Sequence, residues 1–438
     1  MSAVTAGETV GVDEVQLAKL RRRAVLSCLV GNLFELYDFG VYGYFAAPIG
    51  RAIFPSADPV ASVLSSFATL GVGFLMRPVG ALVIGSYGDR AGRKAALVVT
   101  VALMATATGL TGLVPSYASI GIFAPIMLVM CRLLQGFSTG GEWGGAASFM
   151  VEYAPAGRRG LFGSLQQVST GLGQLLSISM ALILSSVLDP QSLGEWGWRV
   201  PFIVGFLLAP VGYYLRSRVS ETPIFERAIE KREVVQSPMR LALTQHWRAV
   251  LTGFGVTIIW TAGTFIFLTF MLTYAQQTLG MSASAASLST SIGAVVNVLC
   301  LPIVGTLSDR FGRKPFLAAS ALGFLLLAYP LFHFAVTERS FGALVLVQAT
   351  GGFLYALING SASAMLCELF PTHVRYSALS FGYNGAVMIF GGFAPFIATW
   401  LIRATGSPSA PSFYVMACAF VSLLVILRLK DRAHLPLP

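Results

Sequence analysis

The chain has 438 residues, 55% hydrophobic and only 11% charged, against about 25% charged residues in soluble proteins, so a water-soluble globule is excluded. The net charge of +10 would suit a nucleic-acid binder, but most lysines and arginines sit in alternate connections between apolar runs. Arg51, Arg199, Arg339 and Arg403 fall on the other side, and Arg77 and Arg132 lie inside runs. Cytoplasmic loops of membrane proteins collect basic residues, so the excess is a topology signal: both termini are expected in the cytoplasm and the number of spans is even.

A helix needs about 20 apolar residues to cross a bilayer. Segment 1–23 is polar, lacks the pattern of a cleavable signal, and is expected to stay in the cytoplasm. Twelve runs follow, at about 24–47, 60–87, 95–115, 119–151, 161–188, 199–216, 249–279, 284–307, 315–337, 341–369, 377–403 and 411–428. None alternates as a barrel strand does. The expected fold is an all-α membrane protein of twelve transmembrane helices. They form two six-helix bundles, 24–216 and 249–428, joined by a cytoplasmic loop at 217–248 and followed by a cytoplasmic tail at 429–438.

Charges inside the runs stand out. The first run reads GNLFELYDFG over 31–40 and carries Glu35 and Asp38. Glu35 lies about 18 Å into a core about 30 Å thick. Asp38 shares its helix face, and Tyr42 follows four positions later. An intramembrane acid costs on the order of 2.5–3.5 kcal/mol, so a cavity role is the first reading and a structural ion pair or packing hydrogen bond the second. In the second run Arg77 directly precedes Pro78. It is a candidate for substrate binding or for pairing with an acid of the first run.

In the fourth run Arg132 is followed by Gln135. A guanidinium fork fits a carboxylate in two-point contact, so Arg132 is a candidate anion site; a permanent salt bridge to Glu35 or Asp38 is the other reading. Glu142 sits in GGEWGG, whose glycines allow close helix contact or a local bend. It is a candidate for gating and proton coupling, or for a packing hydrogen bond.

The C-terminal half keeps its charges near run ends. Its cavity face must be neutral, with Tyr355, Asn359, Tyr383 and Asn384 as candidate substrate contacts. A proton carrier must be neutral on one face and ionised on the other. His246, His333, His373 and His434 all avoid mid-run positions, which leaves carboxylates. Burial raises a carboxyl pKa and a nearby arginine lowers it. Glu35 and Asp38 both remain open for the role.

The chain repeats itself. GSYGDRAGRKAAL at 85–97 returns as GTLSDRFGRKPFL at 305–317, and EYAPAGRR from Glu152 is echoed by ELFPTHVR from Glu368. The first pair supplies a candidate gating motif, Gly85, Asp89, Arg90, Gly92, Arg93 and Lys94, and its copy Gly305, Asp309, Arg310, Gly312, Arg313 and Lys314. Acid and bases that pair only when the cytoplasmic side is closed would act as a latch.

This repeated GxxxDRxGRK between the second and third and the eighth and ninth runs resembles the signature of the major facilitator superfamily. The stretches GNLFELYDFGVYGYFA (31–46), GFLMRPVGALVIGSYGDRAGRK (73–94), RLLQGFSTGGEWGGA (132–146), EWGWRVPF (195–202) and SETP (220–223) resemble its metabolite:proton symporter family. The resemblance implies a cavity between two halves and proton-driven import by alternating access. It points to a di- or tricarboxylate such as citrate or 2-oxoglutarate, with a proline/betaine-type osmolyte or a shikimate-like acid as the alternatives.

An enzyme is not expected, because no nucleotide loop, metal cluster or nucleophile triad is visible. A membrane sensor reusing a transporter fold is a remote alternative. The five cysteines fall within or at the ends of runs without CxxC spacing, so no metal or disulfide framework is expected, and no cofactor. The expected partners are a small organic metabolite, protons and the lipid bilayer. No nucleic acid or obligate protein partner is inferred, and a bacterial cytoplasmic (inner) membrane is the expected location.

Overall fold

The computed structural model describes residues 29–437 except 31, 34, 35, 92, 153, 156 and 218–237. Among the described residues the regular elements are all helical. We number the principal helices α1 (36–53), α2 (Pro59–Ile84), α3 (Arg93–Leu113), α4 (Phe123–Glu152), α5 (Arg159–Val187), α6 (Val200–Ser217), α7 (Trp247–Gln277), α8 (Ala283–Phe311), α9 (Lys314–Glu338), α10 (Phe341–Leu369), α11 (Val374–Thr405) and α12 (Pro411–Arg428). By length and composition α2, α4, α5 and α7–α12 can each cross a membrane, and α3 and α6 contain shorter apolar helices.

Local chemistry sets the boundaries. Asp58 accepts a hydrogen bond from the Val60 amide ahead of Pro59 at the start of α2. Ser282 and Ser340 cap α8 and α10 through the Ala285 and Ala343 amides. These oxygens satisfy amides with no partner within the helix. The turn from α8 to α9 passes through Gly312 at φ +90, a conformation that disfavours a side chain.

Glycine lets the helices touch through their backbones, as in lipid-embedded bundles. A Cβ on Gly136 of α4 would collide with the carbonyl of Gly73 on α2, and one on Gly352 of α10 would collide with the carbonyl of Gly293 on α8. Gly73 and Gly293 stand 220 residues apart, the offset of the repeated loop. The two halves are thus built on the same helix crossing. Between the halves, α5 runs against α8, where Gly160 meets the Gly305 carbonyl and Gly305 meets Ser164.

The seam between halves is bridged at more than one level. On the side of the basic loops, Asp309 of α8 accepts from the amides of Gly160 (2.7 Å) and Leu161 (3.0 Å) at the start of α5. Glu152 binds Arg375 at 2.7 Å, and Glu368 binds Arg159 at 3.3 Å. Farther along the seam the Tyr44 hydroxyl donates to the Leu268 carbonyl, and the rings of Phe74 and Phe265 meet edge-on at 5.2 Å.

Candidate functional site

The charged site lies within the N-terminal half. Asp38 of α1 accepts from Thr108 Oγ1 of α3 at 2.8 Å and from Arg132 Nη1 of α4 at 3.4 Å. Arg132 Nη2 donates to Thr111 at 3.0 Å, and Gln135 Nε2 donates to Thr108 at 3.0 Å. The Arg132 guanidinium lies 4.4 Å from the Tyr42 ring centre and 5.6 Å from that of Phe202. Asp38 and Arg132 are 2% and 1% exposed. At this depth the charge on each is tolerable only because of the other.

The glycine crossing explains the position of Arg132. A Cβ on Gly73 would sit 2.9 Å from the Arg132 carbonyl, so α2 carries this turn of α4 against its own backbone. In the other half Gly293 meets the Gln348 carbonyl in the same way, at 2.6 Å. Gln348 is the counterpart of Arg132, and it makes a neutral bond to Thr290 at 2.9 Å. The offset of 216 residues between the second pair of echoes predicts this correspondence.

Sequence reasoning named Asp38, Tyr42, Arg132 and Gln135, with a salt bridge from Arg132 to Glu35 or Asp38 as one reading, and the structure brings the four together with Asp38 as the partner. Arg77 takes another place, with its guanidinium over the rings of Phe39 (4.7 Å) and Phe74 (4.4 Å). Glu142 is buried just beyond Gly140 and Gly141, where α4 lapses from regular helix. Glu35 lies outside the described residues.

Facing the seam, Trp143 of α4 stacks on Tyr383 of α11 at 3.7 Å with planes 7° apart, and Trp260 of α7 meets both edge-on at 5.5 Å. Asn384 donates to the Gly140 carbonyl at 2.9 Å. Asn359, one turn beyond the buried Tyr355, is 1% exposed with neither amide atom partnered. Asn32 on α1 is in the same condition, as are Gln166 through its Nε2 and Thr261 through its hydroxyl. Burying a polar group without a hydrogen bond is costly, which makes these groups candidates for contact with a polar guest. Asn32, Gln166, Trp143 and Trp260 were missed from sequence. For the amides the signal was present, as polar residues within apolar runs; for the tryptophans it was not.

In the second gating motif, Asp309, Arg313 and Glu368 form a cluster. Arg313 donates to Asp309 at 2.9 Å and to Glu368 at 3.1 Å. Burial works against the charge on Arg313, but Glu368 and Asp309 outweigh it and hold its pKa above the ordinary arginine value. Arg310 is exposed over the Phe311 ring, and Lys314 reaches the Leu427 carbonyl at 2.7 Å. In the first copy Gly92 and the side chains of Asp89, Arg90, Arg93 and Lys94 lie outside the described residues, as do the immediate surroundings of Gly85. Among the described residues no group of three or more His, Cys, Asp or Glu could hold a metal.

Comparison with known proteins agrees with this architecture. Residues 24–243 match the family model for sugar (and other) transporters, and residues 254–437 match that of the major facilitator superfamily. The chain belongs to the major facilitator superfamily. It is 36% identical to a citrate-proton symporter of Klebsiella pneumoniae, over 94% of this chain and 93% of the relative. It is 34% identical to a proline/betaine transporter of Salmonella typhimurium, over 99% and 87% of the two chains. These relatives carry the resemblance read from the motifs.

Among solved structures, the proton:xylose symporter XylE bound to 6-bromo-6-deoxy-D-glucose superposes with a TM-score of 0.76 at 18% identity, over 95% of this chain and 97% of that one. A partially occluded, inward-open form of the Escherichia coli xylose transporter gives 0.76 at 18% identity, over 94% and 98%. They share the fold of this multi-pass transporter.

Proposed function

We propose that this transporter is a proton symporter that imports a small carboxylate-bearing metabolite across a bacterial cytoplasmic membrane by alternating access. Asp38 carries the proton and Arg132 is its counter-charge. The observation that carries the reading is the buried Asp38–Arg132 pair, charged in the half that its repeat leaves neutral at Gln348.

The coupling follows from charge. With Asp38 ionised the pair is neutral and the empty carrier can reorient. A proton on Asp38 leaves Arg132 as an uncompensated cation in a low-dielectric site, which costs several kcal/mol. A carboxylate entering the seam restores neutrality, so proton and solute are bound together or not at all. For a solute without net charge, such as a zwitterion, one proton crossing about 180 mV supplies roughly 4 kcal/mol, enough for about a thousandfold accumulation. An anion cancels that charge, so it would need more protons than it has negative charges to draw on the voltage.

The solute would lie between the Trp143–Tyr383–Trp260 rings and the unpartnered amides of Asn359, Asn32 and Gln166. That lining is neutral. Arg132, which loses its acid when Asp38 takes the proton, would answer the solute's carboxylate; the other buried guanidiniums among the described residues already face acids, carbonyls or rings, which favours a zwitterion of the proline or betaine kind, whose cationic end suits aromatic faces. A di- or tricarboxylate such as citrate or 2-oxoglutarate is the second reading, supported by the 36% identity to a citrate-proton symporter.

The test is uptake into proteoliposomes under an imposed inward proton gradient, with labelled proline, betaine, citrate, 2-oxoglutarate and shikimate side by side. Uncoupler-sensitive accumulation of one of them supports the symporter and selects its substrate. Uptake that merely equilibrates, gradient or not, would remove proton coupling.

A further inference from the structure

We propose that Tyr376 and Asn384 of α11 are positioning residues for the proton site. They are donors from one half that hold the Gly140–Gly141 lapse of α4 in the other, and so tie the closed basic side to the Asp38–Arg132 pair. The proposal rests on the reading of Asp38 as proton carrier.

The helix of α4 stops at Thr139 and resumes at Glu142. Asn384 Nδ2 donates to the Gly140 carbonyl at 2.9 Å, and the Tyr376 hydroxyl donates to the Gly141 carbonyl. Within a bilayer the backbone at a lapse in a helix takes its support from neighbouring helices. Here that neighbour belongs to the other half. Asn384 Oδ1 has no partner, so the amide is oriented by this bond.

The two pieces of α4 are fitted to different partners. The first piece, with Arg132, is keyed to α2: Gly136 abuts the Gly73 carbonyl and Gly140 abuts the Arg77 carbonyl. The second is keyed to α11: a Cβ on Gly144 would strike Ser380, and one on Gly145 would come within 2.8 Å of the Tyr376 ring. When the basic side opens, α11 withdraws and takes both donors with it. The Gly140 and Gly141 carbonyls then lose these donors, the pieces turn relative to each other, and Arg132 shifts against Asp38.

The titratable neighbours of the pair are Tyr37 and Tyr42 on the helix of Asp38 and Cys131 beside Arg132 on α4. From α3 and α6 the groups facing the pair are Thr108, Thr111 and Phe202, none of which titrates. Glu142 at the lapse and Glu152, Asp309 and Glu368 on the basic side are carboxyl groups too, so the part of a pH response that belongs to Asp38 is the part that Asp38→Asn removes.

The experiment places spin labels at Arg158→Cys and Arg310→Cys, exposed on the basic side of either half. The background has Cys28, Cys131, Cys300, Cys367 and Cys418 replaced by alanine, and the protein is in nanodiscs. Inter-label distances are measured by pulsed electron resonance from pH 5 to 9. The wild type should shift between closed and open distances with pH, and Asp38→Asn should abolish the shift. Tyr376→Phe, which keeps the ring, and Asn384→Ala should each raise the open fraction at high pH by about fivefold, as expected for one hydrogen bond, and flatten the pH dependence.

Variants that keep the wild-type pH dependence, whether overlaid or displaced in parallel, would reduce the two residues to structural contacts and overturn the inference alone. A wild type without any pH-dependent shift would overturn the Asp38 reading and the inference together.

Discussion

Glu152 at the end of α4 binds Arg375 at the start of α11, 2.7 Å away across the seam. Glu368 binds Arg159 in the reciprocal position at 3.3 Å. Each acid of the echoed pattern is thus answered by the arginine of the other copy. Reversing one pair, with Glu152→Arg alone, should remove transport, and adding Arg375→Glu should restore a measurable part of it. Uptake of the substrate selected in proteoliposomes reads the result; an unaffected single variant would mean that the pair does not gate.

Asp38→Asn should leave a folded protein that no longer concentrates its solute. The accumulation ratio under a proton gradient should fall to about one, while exchange of labelled for unlabelled solute persists. Uphill uptake at the wild-type level would take Asp38 out of the coupling role.

Arg132→Gln gives the N-terminal half the residue its repeat already has at position 348. It also leaves Asp38 buried beside Thr108 with no cation, and breaking a buried pair costs about 3–5 kcal/mol. The single variant should melt well below wild type, and the double variant Asp38→Asn with Arg132→Gln should recover most of the loss. Thermal unfolding in detergent decides; a single variant as stable as wild type would show that the pair carries no structural energy.

Gly136→Ala should disrupt the α2–α4 crossing, because its Cβ would overlap the Gly73 carbonyl. Overpacking at such sites costs about 1–3 kcal/mol. Gly194→Ala, where a Cβ meets nothing within 4 Å, should be neutral. Size-exclusion profiles and melting temperatures of the two compare them directly.

The fold was legible because runs of apolar residues and a repeated loop survive in any reading frame of chemistry: lipid demands the former and duplication leaves the latter. The site was legible in its members more than in its pairings. Asp38 and Arg132 were conspicuous as charges where charges are costly, but two acids stood within reach of the arginine, and only the fold shows Asp38 turned toward α3 and α4. Asn384 read as a substrate contact because an amide in lipid needs a partner. That its partner is the Gly140 carbonyl depends on how α11 meets α4, which no local pattern encodes. Trp143 is one aromatic among many in apolar runs, and composition does not separate a ring that faces lipid from one that stacks across the seam.

The pairing of Arg132 with Gln348 across the repeat carries one more consequence. Duplication produced two arms of the same shape, and divergence wired only one of them. A transmembrane voltage pulls on charge and leaves neutral amides alone, so the field acts on the mid-membrane core of the N-terminal arm and not on that of its twin. On the proposed mechanism, sensitivity to voltage would therefore belong to one half and not to its repeat.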